Sequence, residues 1–421
     1  MMEALLDLTE WSDLPDSARA MARLSLFDWM VCGLAGVGEP VSAILRAHVA
    51  GSGAATVFGG GTAPARAAAL ANGTISHALD YDDTHFGHIG HLSVGIYPAA
   101  LAVGQEVGAD TAAVVDAFLV GAEAAIRIGM VLGVGHYNRG FHQTATAGAF
   151  GATIAAGRLY GLTRGQMRAA LGLCATRASG LKSQFGTMGK PLNAGIAASN
   201  GVECAALALA GMTSATDGIW GPQGFVATHS DAPMPWDSRA AFLFEDVQYK
   251  LHACCHGTHA MIEALGAVKR QHNLPAERVA AIRLRTSPRW LSVCDIKTPR
   301  TGLEVKFSYA WLAGMVLSGI ATSSDRSYTD ALAQDAALTD FARRITVTGD
   351  TAVGEMQALG QVETVDGQII RFAHDLAARQ PLDQLQAALR AKADGLIGVE
   401  RAGQLWAGAQ TAQDLGRMMQ A

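Results

Sequence analysis

Apolar residues recur at three- and four-residue spacing through the first 235 positions, the signature of helix packed upon helix. The run ARAMARLSLFDWMVCGLAG (18–36) shows this period and ends in Gly. It follows Ser12-Asp13-Leu14-Pro15-Asp16, which reads as a helix start, with a Ser or Asp cap and Pro in the first turn. Later stretches, TATAGAFGATIAAGRLYGL (144–162) and LNAGIAASNGVECAALALAGM (192–212), consist largely of Ala and Gly. Small residues let helix axes approach closely, so these segments are expected at a tightly packed centre. No unit repeats at a fixed period.

The pattern changes near Tyr249. AAIRLRTSP (280–288) and RRITVTGD (343–350) alternate as strands do. VETVDGQIIRF (362–372) places Asp366-Gly367 between two alternating runs, a strong hairpin signal. LEVKFSYAWLAGMVLSGI (303–320) is helical, and helix returns in RFAHDLAARQPLDQLQAALRAKADGLIG (371–398). The expected fold is mainly α with an α+β insertion. Residues 1–246 and 373–421 form a large all-helical domain built from both chain ends, and 247–372 form a smaller α+β lid.

Composition narrows the function classes. Half of the 421 residues are apolar and only 16% are charged, against roughly 25% in ordinary soluble domains. That excess of apolar residues implies many fully buried helices and an extensive subunit interface. A net charge of −5 leaves no basic footprint for nucleic acid. The six cysteines lack the spacing of a disulfide framework or zinc site. The first residues are acidic and unlike a secretory signal. The apolar stretch Val114–Val134 carries Asp116, Glu123 and Arg127, so it reads as a buried helix and not a membrane span. A cytoplasmic enzyme without membrane or nucleic-acid partners is expected.

The densest polar cluster is ALDYDDTHFGHIGHLSVG (78–95). Asp80, Asp82, Asp83, Thr84, His85, His88 and His91 fall within twelve residues of otherwise apolar sequence. Carboxylates beside imidazoles supply what proton transfer needs, because burial and mutual charge can bring their pKa values toward neutrality. Asp80 and His91 are the favoured functional pair, while Asp82 and Asp83 are expected to cap helices. The three-residue spacing of His85, His88 and His91 raises a metal site as a rival. Gly87 and Gly90 argue against a regular helix there, and no metal is expected.

Three further segments carry chemistry. Arg139-Gly140-Phe141-His142 precedes an Ala/Gly helix, so His142 sits at a helix N-terminus where an anion would be favoured. Phe185 to Gly195 encloses Lys190 in a Gly-rich turn that does not match a phosphate loop, since Pro191 follows the Lys. Lys190 is instead expected to await a carboxylate. KLHACCHGTHAMIEAL (250–265) clusters His252, Cys254, Cys255, His256 and His259 at the expected domain junction, as a hinge that lends one histidine to the cleft.

These segments, in this order, resemble the MmgE/PrpD family, which includes 2-methylcitrate dehydratase, cis-aconitate decarboxylase and iminodisuccinate epimerase. The resemblance runs through DLPDSARAMARLSLFDWMVCGLAG, LDYDDTH, GFHQTATAGAFGA, FGTMGKPLNAG, HGTHAMIEAL and DLAARQPLDQLQAALRAKA. It implies a homodimer that uses neither metal nor organic cofactor. It also implies that Asp80, Thr84, His91, His142 and Lys190 are the active-site residues. Arg139, His256, His259, Tyr309 and Trp311 are expected to contact the substrate. Three positions depart from the pattern. The decarboxylase's lid-helix tyrosine falls on Trp311, with Tyr309 two residues earlier; its lid-hinge histidine falls on Cys254 or Cys255; and the common histidine after the lysine motif is Asn193. Tryptophan cannot exchange a proton as tyrosine does, which counts against cis-aconitate decarboxylation in particular.

The expected activity is therefore a cofactor-independent lyase of the dehydratase type. It would abstract a proton next to a carboxylate of a small di- or tricarboxylate. An epimerase of an amino- or iminodicarboxylate and a cis-aconitate-type decarboxylase share that first step. A metal hydrolase built on the histidine triple and an inactive binding protein of the same fold are rivals from other classes.

Overall fold

The computed structural model describes residues 1–239, 241–378, 380–411 and 415–420. It divides into two compact units, Met1–Tyr249 with Ile397–Ala421, and Lys250–Leu396.

The first unit is a helical assembly. Its relevant helices are α1 (Asp16–Gly36), α2 (Ala65–Ser76), α3 (Ser93–Val107), α4 (Thr111–Arg139), α5 (Gln143–Leu159), α6 (Arg164–Ala175) and α7 (Gly189–Leu209). Within it, Ala55–Thr56 pairs with Thr62–Ala63 in a two-residue antiparallel ladder, the only sheet among its described residues. α1 starts one step later than the sequence pattern suggests. Pro15 is itself the N-cap and no side chain caps the helix; the Pro15 carbonyl accepts the Arg19 amide instead.

Helices α2, α3, α5 and α7 pack together at the centre, and small residues set their spacing. A Cβ on Gly73 of α2 would lie 2.8 Å from the Gly195 Cα of α7. A Cβ on Gly151 of α5 would lie 2.6 Å from the Gly121 carbonyl oxygen of α4. The Ala- and Gly-rich segments thus form the close-packed centre, where backbones meet with nothing larger than hydrogen between them.

Helix α4 is mostly buried within the unit, as a core helix is. Its Glu123–Arg127 ion pair, at 2.7 Å, lies inside. The guanidinium also donates to the carbonyls of Asp237, Arg239 and Ala241, while Glu123 accepts the amides of Leu243 and Phe244. One buried pair therefore clamps the backbone at Asp237, Arg239, Ala241, Leu243 and Phe244. Such a pair is tolerated inside because both partners also bond to backbone groups.

The second unit contains a four-stranded sheet. Its strands are β1 (Val279–Thr286), β2 (Ile345–Gly349), β3 (Gln357–Thr364) and β4 (Ile369–Asp375), in the order β2-β1-β3-β4. β1 and β2 run parallel, with Ile282 opposite Ile345, and the other neighbours are antiparallel. The Asp366-Gly367 hairpin joins β3 to β4, with Gly367 at φ +84°. Its helices include α8 (His259–His272), α9 (Pro288–Cys294), α10 (Tyr309–Ser318) and α11 (Leu382–Ile397). The boundary expected at residue 373 lies further on, at Ile397. Strand β4 needs residues up to Asp375 to finish its ladder with β3. α12 (Val399–Thr411) then returns to the first unit and packs against α1.

Candidate active site

Four chain segments of the first unit converge on Asp80. His77 ends α2 at its C-cap, and the irregular 78–92 segment follows. His142 is the N-cap of α5, and Lys190 lies in the first turn of α7. The connecting segment is held in unusual backbone geometry. Among the described non-glycine residues, positive φ occurs only at Asp80 (+52°), Ile89 (+55°) and Asn273. Two of the three lie within this loop. A β-branched residue at positive φ costs on the order of 1–3 kcal/mol, and such strain concentrates where function demands it.

Asp80 faces two cationic or potentially cationic groups. Lys190 Nζ lies 2.5 Å from its Oδ2, and His91 Nε2 lies 3.4 Å from its Oδ1. Lys190 also sits over the Phe185 ring, 5.3 Å from its centre. The Asp80 side chain remains 44% exposed, whereas Lys190 is 15% exposed. The carboxylate is thus the accessible partner of a mostly covered ammonium.

Behind this pair lies a fully buried carboxylate. His77 Nδ1 is 2.7 Å from Asp82 Oδ1, and His91 Nδ1 is 2.7 Å from Asp82 Oδ2. The His91 contact is close but not well aligned for a hydrogen bond, so its attraction is chiefly electrostatic. Burial alone would raise the Asp82 carboxyl, but His77 and His91 outweigh it and hold it well below the usual carboxylate range. Burial pushes His91 down to about 4 despite Asp82 beside it. His91 is therefore neutral near pH 7. Each of its ring nitrogens faces a carboxylate, Nδ1 toward Asp82 at 2.7 Å and Nε2 toward Asp80 at 3.4 Å, and the nearer one favours the ring's single proton on Nδ1.

Asp82 was expected to cap a helix and does not; it orients two imidazoles instead. Asp83 does serve α3. It accepts the Ser93 amide at 3.1 Å and the Ser93 hydroxyl at 2.5 Å, and also the Ser25 hydroxyl of α1 at 3.1 Å. Desolvation pushes Asp83 up to about 7.

His142 is buried against the same group. Asn193 of α7 donates from Nδ2 to His142 Nδ1 at 3.2 Å and to the Leu181 carbonyl at 3.3 Å. Because the carbonyl can only accept, the amide orientation is fixed and His142 carries its proton on Nε2. Burial, then His77, Lys190 and His91, hold His142 well below the usual imidazole range. The rings of His77 and His142 stack at 6.3 Å, and those of His77 and His91 meet edge-on at 4.5 Å. The α5 N-terminus is stitched to the loop by the His91 amide, which donates to Thr144 Oγ1 at 3.0 Å.

The structure thus brings Asp80, His91, His142 and Lys190 together. Thr84 forms a two-way backbone bridge with Gln248 at 2.8 Å, and the bonds described for it run there. Arg139 is paired on the surface with Asp231, and none of its described contacts reaches the cluster. In the second unit, His256 is half-buried while His259 is buried, its Nε2 3.4 Å from the Cys254 carbonyl. Tyr309 is buried, donating to the Gly257 carbonyl at 2.8 Å and lying 3.1 Å from Thr286 Oγ1. That hydroxyl is engaged within the unit's own framework. Trp311 is likewise buried, and its Nε1 has no hydrogen-bond partner among the described residues.

The histidine triple does not form a metal site. His85 Nε2 lies 3.0 Å from the Leu243 carbonyl, and His85 Nδ1 accepts the His88 amide. His88 Nδ1 lies 3.1 Å from the Ala125 carbonyl, against Gly129 of α4. Among the described residues, the ligand-type atoms that do converge belong to His77, Asp80, Asp82 and His91, within 4.8 Å of one another. Both Asp82 oxygens already face imidazoles and Asp80 faces Lys190, so each carboxylate of the set already has partners within the unit. His77 and Asp82 were not picked from the sequence. Their signal was available, since His77 sits where α2 must stop and Asp82 lies five residues on.

Residues 5–236 match the MmgE/PrpD N-terminal domain, and residues 252–379 match the MmgE/PrpD C-terminal domain. The chain belongs to the MmgE/PrpD family. Similar proteins include cis-aconitate decarboxylase of Aspergillus terreus (strain NIH 2624 / FGSC A1156), 30% identical over 285 residues. That match covers 62% of this chain and 58% of the fungal protein. The cis-aconitate decarboxylase-like protein oryM of Aspergillus oryzae is 29% identical, covering 62% of this chain and 59% of its own length. Human cis-aconitate decarboxylase is 28% identical over 228 residues, or 51% of this chain and 46% of the human protein. This MmgE/PrpD chain therefore spans less than two thirds of the curated relatives it matches. The Asp80–Lys190 cluster lies wholly inside the N-terminal family domain.

Proposed function

We propose that this chain is a lyase acting on a small di- or tricarboxylate, by proton transfer at a carbon next to a carboxylate. One observation carries the reading: an ammonium and two neutral, buried imidazoles surround one accessible carboxylate, Asp80. Lys190 would bind a substrate carboxylate, and its charge would oppose the negative charge that builds on that group as the adjacent proton leaves. His142, donating from Nε2, would bind a second oxygen. His91 Nε2 would take the proton, with Asp82 holding the ring and offsetting the imidazolium that forms.

Within lyases, dehydration is the first reading. His91 removes the proton, the electron pair forms the carbon–carbon double bond, and hydroxide departs with the proton returned from His91, giving an unsaturated acid and water. Trp311 in place of the decarboxylase's tyrosine favours this route, because an indole N–H has no exchangeable lone pair for proton relay. The likeness to curated cis-aconitate decarboxylases supports decarboxylation as the second reading, with cis-aconitate among the first acids to try.

Incubation in D2O with citrate-like, aconitate-like and aminosuccinate-like acids, followed by NMR, tests the proposal. Alkene formation supports dehydration, loss of one carbon supports decarboxylation, and exchange without conversion supports epimerisation. Absence of exchange and conversion with every acid, together with ligand binding unaffected by Lys190→Ala, would overturn it.

A further inference from the structure

The second unit holds a thiol pair that the proposed chemistry does not use. Cys255 Sγ and Cys294 Sγ are 3.2 Å apart, although 39 residues separate them in sequence. All six cysteines are thiols, and Cys255 alone is not buried. Both members of the pair are held from several sides. Cys255 donates its amide to the Lys306 carbonyl at 3.0 Å, and its own carbonyl accepts the Thr258 hydroxyl at 2.7 Å. Cys294 closes α9, whose Trp290 packs against Gly257, where a Cβ would come within 2.5 Å of the indole. Trp290 Nε1 is bonded to the Glu355 carbonyl at 2.8 Å. Neither sulfur therefore has to be brought across the unit to meet the other.

We propose that Cys255 and Cys294 are a redox-responsive dithiol that closes to an intramolecular disulfide when a hydroperoxide oxidises the chain. Cys294 donates its S–H toward the Cys255 sulfur, and Cys255 is the member of the pair that is not fully buried, so Cys255 is assigned the first encounter with the oxidant. The Cys255 thiolate attacks one peroxide oxygen, and the O–O bond breaks with release of water, leaving a sulfenic acid. Cys294 sulfur then attacks the Cys255 sulfur and displaces its hydroxyl as a second water. The balance is two thiols and one H2O2 giving one disulfide and two waters. The bond would tie the segment bearing His256 to the end of α9.

Cys174 and Cys204 provide an internal comparison. They interact with each other across α6 and α7, but both are buried, so peroxide should not reach them.

The test uses the purified full-length chain treated with hydrogen peroxide, then denatured, alkylated with N-ethylmaleimide and mapped by tandem mass spectrometry. The expected result is a fall from six alkylated thiols to four, with a linkage joining peptides 251–269 and 290–297. The linkage should persist in Cys254→Ser, vanish in Cys255→Ser and reverse with dithiothreitol. A linkage that survives in Cys255→Ser, a Cys174–Cys204 bond in its place, or Cys255 oxidised to sulfinic acid with no linkage would overturn the proposal. Wild-type mapping decides the matter even if a variant folds poorly.

Discussion

Lys190 and Asp80 face each other at 2.5 Å, one from the first turn of α7 and the other from the strained loop after α2. The loop has no regular structure of its own to hold that aspartate. Its position depends on Ser93, Thr144 and Gln248, which tie neighbouring residues of the loop to three other parts of the unit.

If Lys190 binds a substrate carboxylate, Lys190→Ala should lower kcat/KM by about 10²–10³-fold, the loss typical of one preorganised charge-stabilising donor. Stability should change by less than about 1 kcal/mol, because the pair is partly solvated through Asp80. Steady-state kinetics beside thermal melts check both. A large loss of stability with unchanged kcat/KM would make the lysine purely structural.

Asp82 makes a sharper case. Asp82→Asn preserves the shape but removes the charge facing His77 and His91. It also permits the wrong imidazole tautomer. A fall of roughly 10²–10⁴-fold in kcat is expected, with KM little changed, because Asp82 acts through His91 and does not touch substrate. The acidic limb of the pH–rate profile should move to lower pH, since a neutral neighbour no longer favours protonated His91. A drop confined to KM would refute that positioning role.

Asp80, His91, His142 and Lys190 were legible in the sequence because polar residues stand out in Ala/Gly-rich surroundings. The helical period and the Asp366-Gly367 turn likewise announced the elements of both units. The roles of Asp82 and His77 were harder to read: their spacing was visible, but a carboxylate that caps a helix and one that bridges two imidazoles look identical in one dimension. Only the turn at the end of α2 brings His77 to Asp82. The hydroxyl partner of Tyr309 was hidden for a related reason. Its spacing shows that it lies on a helix, but the carbonyl that takes up its hydroxyl belongs to Gly257, 52 residues earlier in sequence.

Several buried histidines set the acid limit of stability. Burial pushes His88 down to about 3, and His91 and His136 to about 4. In the unfolded chain each would titrate near 6.5. Above that pH both states are neutral and the groups contribute nothing to the pH dependence. Between about 6.5 and 4 the unfolded chain binds protons that the folded chain refuses, so stability falls as pH falls. Asp83, pushed up to about 7, acts in the opposite sense and loses stability as pH rises from about 4 to 7. Three histidines against one carboxyl leave a net loss on acidification. Thermal melts should therefore drop steadily from pH 6.5 to 4.5, and a flat profile would contradict the burial of these rings. Asp83→Asn should steepen the acid-side fall by removing the opposing group.

The close approach of α2 and α7 is the most direct packing test. A Cβ on Gly195 would collide with the Leu70 carbonyl and the Thr74 hydroxyl of α2, both framework atoms beside the segment that ends in His77. Gly195→Ala should cost about 1–3 kcal/mol through overpacking, which for a unit of this size lowers Tm by roughly 2–12 °C. Gly148→Ala is the matched control, because its Cβ would meet only the Gln143 carbonyl, at 3.9 Å. There the helix should gain on the order of 0.5–1 kcal/mol from the lost backbone freedom of glycine. Separating α2 from α7 would also pull His77 from Lys190, so Gly195→Ala should lose activity at temperatures well below its own Tm. Full activity in a correctly folded Gly195→Ala would mean that the helix spacing does not govern the site.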